Sequence, residues 1–405
     1  MPKCPRCVFA AVLAVLATSA ANAQQPPDPQ DGQPVASVAA PAQDDGEGFV
    51  NKARNWAEKH QIVERLNGDV DGWYPRLGGM TRGGGFAFGP GYRFHAGDVL
   101  VDLSAGLSLK AYKAVDAKVR WVQAYNERVE FWTNYRYEDF PQEDFFGMGF
   151  DTDETTRTSY GFKSHDFTAH ALVKPVSWLR TGTTLGYLKP SIGTGRDRNF
   201  PSLEELFTDS DAPGLSTQPD FFHTTFFADV DYRDQRGNPR SGGFYHASYG
   251  IWNDRSFDLY DFRRFDGNIR QYVPLVPSKA HMVSGQLGLS YANNQTGQRV
   301  PFYFLPYVGG VDTIRSFREF RFKDENAIWV SAEYDWAPIK WISLAAFVDA
   351  GKVARDWEEI GFDGMKKGYG FGVRVHSTKQ TFARFDVATG GGEGWQTFLK
   401  LGAGF

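Results

Sequence analysis

From about residue 72 onward, apolar and polar residues alternate with a period of two. This restricts the fold more than any other feature of the chain. Phe86, Phe88, Tyr92 and Phe94 alternate with small or charged residues. Val99, Val101, Leu103, Ala105, Leu107 and Leu109 are interleaved with Asp102, Ser104, Gly106, Ser108 and Lys110, and Val129, Phe131, Tyr135 and Tyr137 with Glu130, Asn134, Arg136 and Glu138. Period two belongs to β-strands with one face in an apolar medium. A soluble sandwich also alternates, with the apolar side inward. Two observations favour lipid. The pattern repeats through most of the remaining chain, and aromatic residues, 16 % of the 405, gather near strand ends as interfacial girdles do. Helical membrane spans are excluded, because no apolar run of about 20 residues follows the N-terminus. The aromatic content and the 44 glycines exclude disorder, and a net charge of −4 gives no sign of a nucleic-acid partner.

Sixteen strands are expected, near 72–80, 84–94, 98–110, 113–124, 127–139, 157–174, 177–190, 221–234, 242–254, 259–274, 279–292, 325–338, 341–352, 366–377, 380–389 and 395–405. Short connections (95–97, 125–126, 175–176, 275–278, 339–340, 378–379) interleave with long ones (140–156, 191–220, 293–324, 353–365). Short turns on one side and long loops on the other mark an outer-membrane barrel. The predicted fold is all-β: a 16-stranded antiparallel transmembrane β-barrel over 72–405, with a short N-terminal amphipathic helix and both termini periplasmic. In the last strand Trp395, Thr397, Leu399, Leu401, Ala403 and Phe405 share one face, and the terminal Phe405 has the form of a bacterial outer-membrane sorting signal.

The N-terminus sets the compartment. Lys3 and Arg6 precede the apolar run Val8 to Leu16, and Ala21-Asn22-Ala23 offers a cleavage site, so residues 1–23 read as a signal peptide. Both cysteines, Cys4 and Cys7, lie in it, so no disulfide scaffold is expected beyond it. The Gln- and Pro-rich stretch 24–45 reads as a flexible linker. Residues 46–68 read as a helix with Phe49, Ala53, Trp56, His60, Val63 and Leu66 on one stripe. That helix could lean on the barrel end, plug the lumen or dock a partner, a second copy of the chain included.

The segment 293–324 carries the most specific motif, with Gly309, Gly310, Ile314, Arg315, Ser316 and Phe317 in sequence. The strand VSAEYDW then brings Glu333, and the next brings Phe347, Asp349 and Gly351. In this order and spacing the chain resembles the BamA-like outer-membrane assembly-barrel superfamily, also called the bacterial surface antigen family. The turn YRDQRGNPRSGG is familiar from the same barrels. Their sixth extracellular loop carries a Gly-Gly pair and a Val-Arg-Gly-Phe/Tyr tip. Ser316 departs from the tip's usual Gly, which puts its backbone geometry in question. Alternation places Glu333 and Asp349 on the lumenal face of adjacent strands, where an inward-folded loop could set the Arg315 fork between them. Gly351 could leave room for that loop.

The resemblance implies insertion or translocation of proteins or lipids through a weak seam between the first and last strands. Gly83, Gly84 and Gly85 would weaken pairing beside that seam, or simply bend a closed barrel. Insertases of this family usually carry periplasmic POTRA domains, and a short member without them is expected here, which leaves client recognition open. Expected partners are outer-membrane lipids, lipopolysaccharide, and client proteins or lipids. A passive channel, or a structural barrel blocked by loop and helix, is the competing reading. No hydrolase, zinc-protease or phosphate-loop motif occurs, so no enzyme, cofactor or metal is expected. His165, His170, His223 and His246 are the nearest material for a lipase site, and the acidic loops near Asp151–Glu154 and Glu204–Asp211 could bind divalent cations.

Overall fold

The computed structural model describes residues 70–79, 83–124, 128–294, 296–376 and 380–401. The helix stripe Phe49, Trp56, His60, Val63 and Leu66, the signal peptide, the linker and Phe405 lie outside these residues. The strands are β1 (Gly72–Gly79), β2 (Phe86–Ala96), β3 (Val99–Ser108), β4 (Lys113–Ala124), β5 (Val129–Phe145), β6 (Thr158–Val176), β7 (Leu179–Thr194), β8 (Phe221–Asp231) and β9 (Gly242–Asp254). They continue as β10 (Phe262–Pro274), β11 (His281–Asn294), β12 (Tyr307–Val308), β13 (Phe322–Lys323), β14 (Asn326–Ile339), β15 (Ile342–Ala354), β16 (Lys366–His376), β17 (Thr381–Thr389) and β18 (Gln396–Leu401).

Sixteen of them form one sheet in which each strand neighbours the next in sequence, with β11 followed directly by β14. The ladders are antiparallel throughout, as in β10 against β11, where Phe262 faces Asn294 and Pro274 faces Met282. This is the up-and-down order of an outer-membrane barrel. Among the described residues no ladder joins β18 to β1. The remaining two strands, β12 and β13, form a two-residue ladder inside the segment expected to be only a loop.

Alternation sorts the side chains into two media. Leu103, Leu107, Trp121, Phe131, Phe167, Leu185, Phe226, Ile269, Leu287, Trp336, Val348 and Phe371 are exposed on the outward face. Such a band suits lipid and would aggregate in water. The inward face is charged and paired: Arg76 to Asp116 at 2.6 Å, Arg93 to Asp102 at 2.5 Å, Arg120 to Glu130 at 2.9 Å and Arg264 to Asp266 at 2.9 Å. Pairing follows from register, since Asp102 lies directly opposite Arg93.

Strands β5, β6 and β7 have 17, 19 and 16 residues, well beyond the about 10 that cross a bilayer. Their surplus length forms one wall of an aromatic cap at the long-loop end. Phe302 sits at its centre, fully buried, with ring centroids 5.1 Å from Phe145 and 4.9 Å from Tyr160, both edge-to-face. Phe221, Phe262, Trp252 and Phe304 continue the cluster. The helix α1 (Leu203–Leu206) tucks Leu203 beneath it, held by a capping box in which Glu205 accepts the Ser202 backbone N–H at 2.9 Å. Phe302→Ala removes the hub ring and should cost about 3–5 kcal/mol. The expected result is a lower unfolding temperature in heat-modifiability gels, and an unchanged transition would refute the central role of the cap.

Candidate functional site

The segment between β11 and β14 turns inward because its backbone is made to fold tightly. Gly309 and Gly310 have φ of +116° and +100°. A Cβ on Gly309 would lie 2.5 Å from the Arg318 carbonyl, and one on Gly310 would lie 1.9 Å from the Glu319 carboxylate. Only glycine fits both the left-handed backbone and the crowding. The turn closes on itself: the Gly310 N–H donates to the Ile314 and Phe317 carbonyls at 3.2 and 3.1 Å, and the Gly309 N–H donates to Thr313 Oγ1 at 2.8 Å. The β12–β13 ladder ties the loop's base, and Ile314, Arg315, Ser316 and Phe317 are buried at the tip.

Arg315 meets the inward face of the wall. Its Nε and Nη2 donate to the two oxygens of Asp349 at 2.8 and 2.7 Å, a bidentate fork. Nη1 donates to Glu333 Oε2 at 2.6 Å, Nη2 also reaches Ser331 Oγ at 3.0 Å, and the backbone N–H of Arg315 donates to Asp349 at 3.1 Å. The guanidinium lies 3.3 Å over the Phe347 ring, which closes its other face to water. Behind it, Arg374 bridges Glu333 at 3.0 Å and Asp386 at 2.5 Å, and Arg384 donates to Asp386 at 2.6 Å. Three guanidiniums thus face three carboxylates. Without Arg315 the wall keeps an excess carboxylate, and Asp349 loses its principal partner.

Glycines clear the ground for this contact. A Cβ on Gly351 would lie 3.0 Å from Ile314, one on Gly368 would lie 2.1 Å from Ser316 Oγ, and one on Gly391 would lie 2.4 Å from the Phe317 ring. Each residue of the tip, apart from Arg315, therefore has its own glycine beneath it. Ser316 has a negative φ, so the backbone does not require glycine there. Its hydroxyl is buried without a hydrogen-bond partner among the described residues. The loop's base is tied to other loops. Arg321 donates to Glu393 at 2.5 Å and to Thr152 at 2.9 and 2.7 Å. Lys323 is buried over Phe320, its ammonium 5.1 Å from the ring, and burial pushes its pKa down to about 8.

The sequence-expected residues Arg315, Glu333, Asp349, Phe347 and Gly351 come together here. Gly83, Gly84 and Gly85 do not lie in a ladder. They form the turn between β1 and β2, where Gly83 and Gly85 need φ of +74° and +77°, and Gly83 accepts a hydrogen bond from Lys110 Nζ at 2.7 Å. The four histidines are dispersed. His170 stacks on Trp132 and bonds Thr184, His223 stacks on Trp252 near Asp166, His246 bonds Asp229, and His165 bonds Tyr135. Among the acidic loop residues, Asp153 caps a 3-10 turn, Glu154 lies 3.4 Å from Arg318, and Asp211 accepts the Thr208 N–H. Sequence reasoning missed Arg374, Arg384, Asp386, Gly368 and Gly391. For the residues on strands the signal was present in the alternation, which puts Gly368, Gly370, Gly372 and Arg374 on one face of β16 and sets Arg384 opposite Arg374; Gly391 lies in the connection after β17 and carries no such signal.

The Ser316–Gly368 contact yields a paired prediction. Gly368→Ala should destabilise the barrel by forcing the tip off the wall. Ser316→Gly should be nearly neutral alone, because it removes an unpartnered hydroxyl whose burial costs about 1–3 kcal/mol. Combined, the two changes should recover most of the loss, and additive unfolding temperatures would show that the contact does not govern the tip.

The Omp85 superfamily domain profile matches residues 98–397. No curated protein sequence matches the chain. The fold is similar to BamA from Haemophilus ducreyi lacking POTRA domains 1–3, at 15 % identity and TM-score 0.64 over 83 % of this chain and 71 % of that one. It is also similar to CdiB from Escherichia coli, at 11 % identity and TM-score 0.50 over 81 % of this chain. CdiB from Acinetobacter baumannii aligns at 12 % identity and TM-score 0.47 over 82 % of this chain. The match spans less than two thirds of either CdiB, 61 % and 59 % respectively. With a profile covering well over half of its residues and the barrel fold to match, the chain is a bacterial outer-membrane β-barrel that belongs to the Omp85 superfamily.

Proposed function

We propose that this barrel inserts or translocates proteins or lipids at the outer membrane, working through a weak seam between its first and last strands while Arg315 locks the inward loop to Glu333 and Asp349. The Arg315 network is the observation that carries this reading. It joins a loop tip to two adjacent wall strands through a buried cation, which is the form a lock would take. The same residues would hold the wall beside the seam in one shape while the seam strands exchange partners.

In this reading the signal peptide is cleaved, both termini face the periplasm, and the long loops face lipopolysaccharide. The clients are unfolded barrel chains or lipids, and the protein performs no covalent chemistry. The segment 46–68, outside the described residues and expected from its sequence to be amphipathic, would dock a client or a second copy of the chain, or plug the lumen. The competing reading, a passive or plugged barrel, keeps the network as a structural staple alone.

Reconstitution separates them. Liposomes holding the purified barrel should fold an unfolded outer-membrane barrel client faster than empty liposomes do, and equal rates would exclude insertase activity on such clients. Arg315→Ala strands a buried carboxylate at a cost of about 3–5 kcal/mol, and Asp349→Ala strands the guanidinium at a similar cost. Both should lower the heat-modifiability transition. Client folding should slow under conditions where the Arg315→Ala barrel remains intact. Full client activity with a lowered transition would leave the staple and dismiss the lock.

A further inference from the structure

The connection between β8 and β9, residues 232–241, lies on the side of the short turns, yet it is far longer than the two-residue turn between β2 and β3 or between β14 and β15. It is ordered from within. The Asp234 carboxylate accepts the backbone N–H groups of Gln235, Arg240 and Ser241 at 2.9, 2.9 and 3.1 Å, and Lys279 of the neighbouring turn reaches it at 2.8 Å. Such a turn is stiff enough to project.

It projects to the far wall. Arg240 pairs with Asp335 of β14, whose other oxygen accepts Ser343 Oγ at 2.7 Å. Asn238 Nδ2 donates to His376 Nδ1 of β16 at 3.1 Å. The Thr381 N–H of β17 donates to the Gly237 carbonyl at 2.9 Å, and Gly237 forms an isolated bridge with Gln380. Strands β10, β11, β14 and β15 stand between β9 and β16 along the wall. A turn that starts at β8–β9 and ends at β16–β17 therefore takes the chord across the barrel opening. It also lands beside the loop lock: Asp335 is two residues from Glu333, and His376 two from Arg374, on the same inward faces.

We propose that this turn is a stopper that closes the short-turn mouth of the lumen, latched by Arg240 to Asp335 and by Asn238 to His376, and that its release opens the lumen at that end. The stopper and the Arg315 tip enter from opposite ends and grip the same strands. The stopper sets permeability whether or not the barrel assists clients, so ionic conductance tests it without reference to client folding.

The test is single-channel recording of the full barrel in planar bilayers. The wild type should be closed for most of the record. Arg240→Ala combined with Asn238→Ala removes both side-chain latches and should raise the open fraction at least about tenfold, given the cost of losing a largely buried ion pair. A heat-modifiability gel checks that the barrel is intact. Both native cysteines fall in residues 1–23, so a disulfide between Gly237→Cys and Gln380→Cys forms without competition from the barrel. Added to the latch variant, it should return the pore to the closed state when oxidised, and dithiothreitol should reopen it. A latch variant as closed as the wild type overturns the stopper. So does an oxidised cysteine pair in the latch variant that conducts like the reduced one; where the double latch variant does not fold, Asn238→Ala alone, which keeps the Arg240–Asp335 pair, serves as the background for the same comparison.

Discussion

Arg315 brings a permanent positive charge on a loop tip into a site that water barely reaches, and this contact organises much of the structure around it. A guanidinium that is only 3 % exposed must find its counter-charges in the protein. It finds them on two adjacent strands, in a fork to Asp349 and a single bond to Glu333. Those carboxylates would be costly beside one another without it. Loop and wall therefore stabilise one another, and neither arrangement is sensible alone. Lysine could not replace the arginine, since its compact ammonium cannot span two carboxylates and also stack on Phe347.

The second constraint is space. A sheet wall offers a flat surface, and a loop tip with Ile, Ser and Phe side chains would stand off it by several ångströms. Gly351, Gly368 and Gly391 remove the Cβ atoms that would hold the tip away, while Gly372 leaves room for the Arg374–Asp386 pair, which a Cβ there would overlap at about 2.1–2.2 Å. Glycine lowers strand propensity. Its concentration on one patch of wall is thus a local cost, offset by the burial of the tip and by its hydrogen bonds.

Much of the fold was legible in the sequence because a lipid-facing strand must be apolar at every second residue, and sixteen such strands leave little freedom in register. The boundaries that slipped are informative. β5 and β7 run on to Phe145 and Thr194, past the expected ends at 139 and 190, because there the strands leave the membrane and pack against loops, where alternation loses its meaning. The ladder of Tyr307 and Val308 with Phe322 and Lys323 was invisible, since two residues carry no period. Arg315, Glu333 and Asp349 were readable from motif order and facing. Arg374, Arg384 and Asp386 were not singled out, because a lumenal charge looks the same in sequence whether it faces water or a loop. The glycines at 83–85 lie beside β2, where Gly83 and Gly85 take the left-handed backbone that a turn needs.

The two inward elements also share a logic of placement. Glu333 and Asp335 stand two residues apart on β14, one held from the long-loop end by Arg315 and the other from the short-turn end by Arg240. Arg374 and His376 repeat the arrangement on β16, facing Glu333 and Asp386 on one side and Asn238 on the other. A strand pinned at such closely spaced points cannot slide in register without breaking both contacts. The strands so pinned, β14 to β17, are those leading to the last strand.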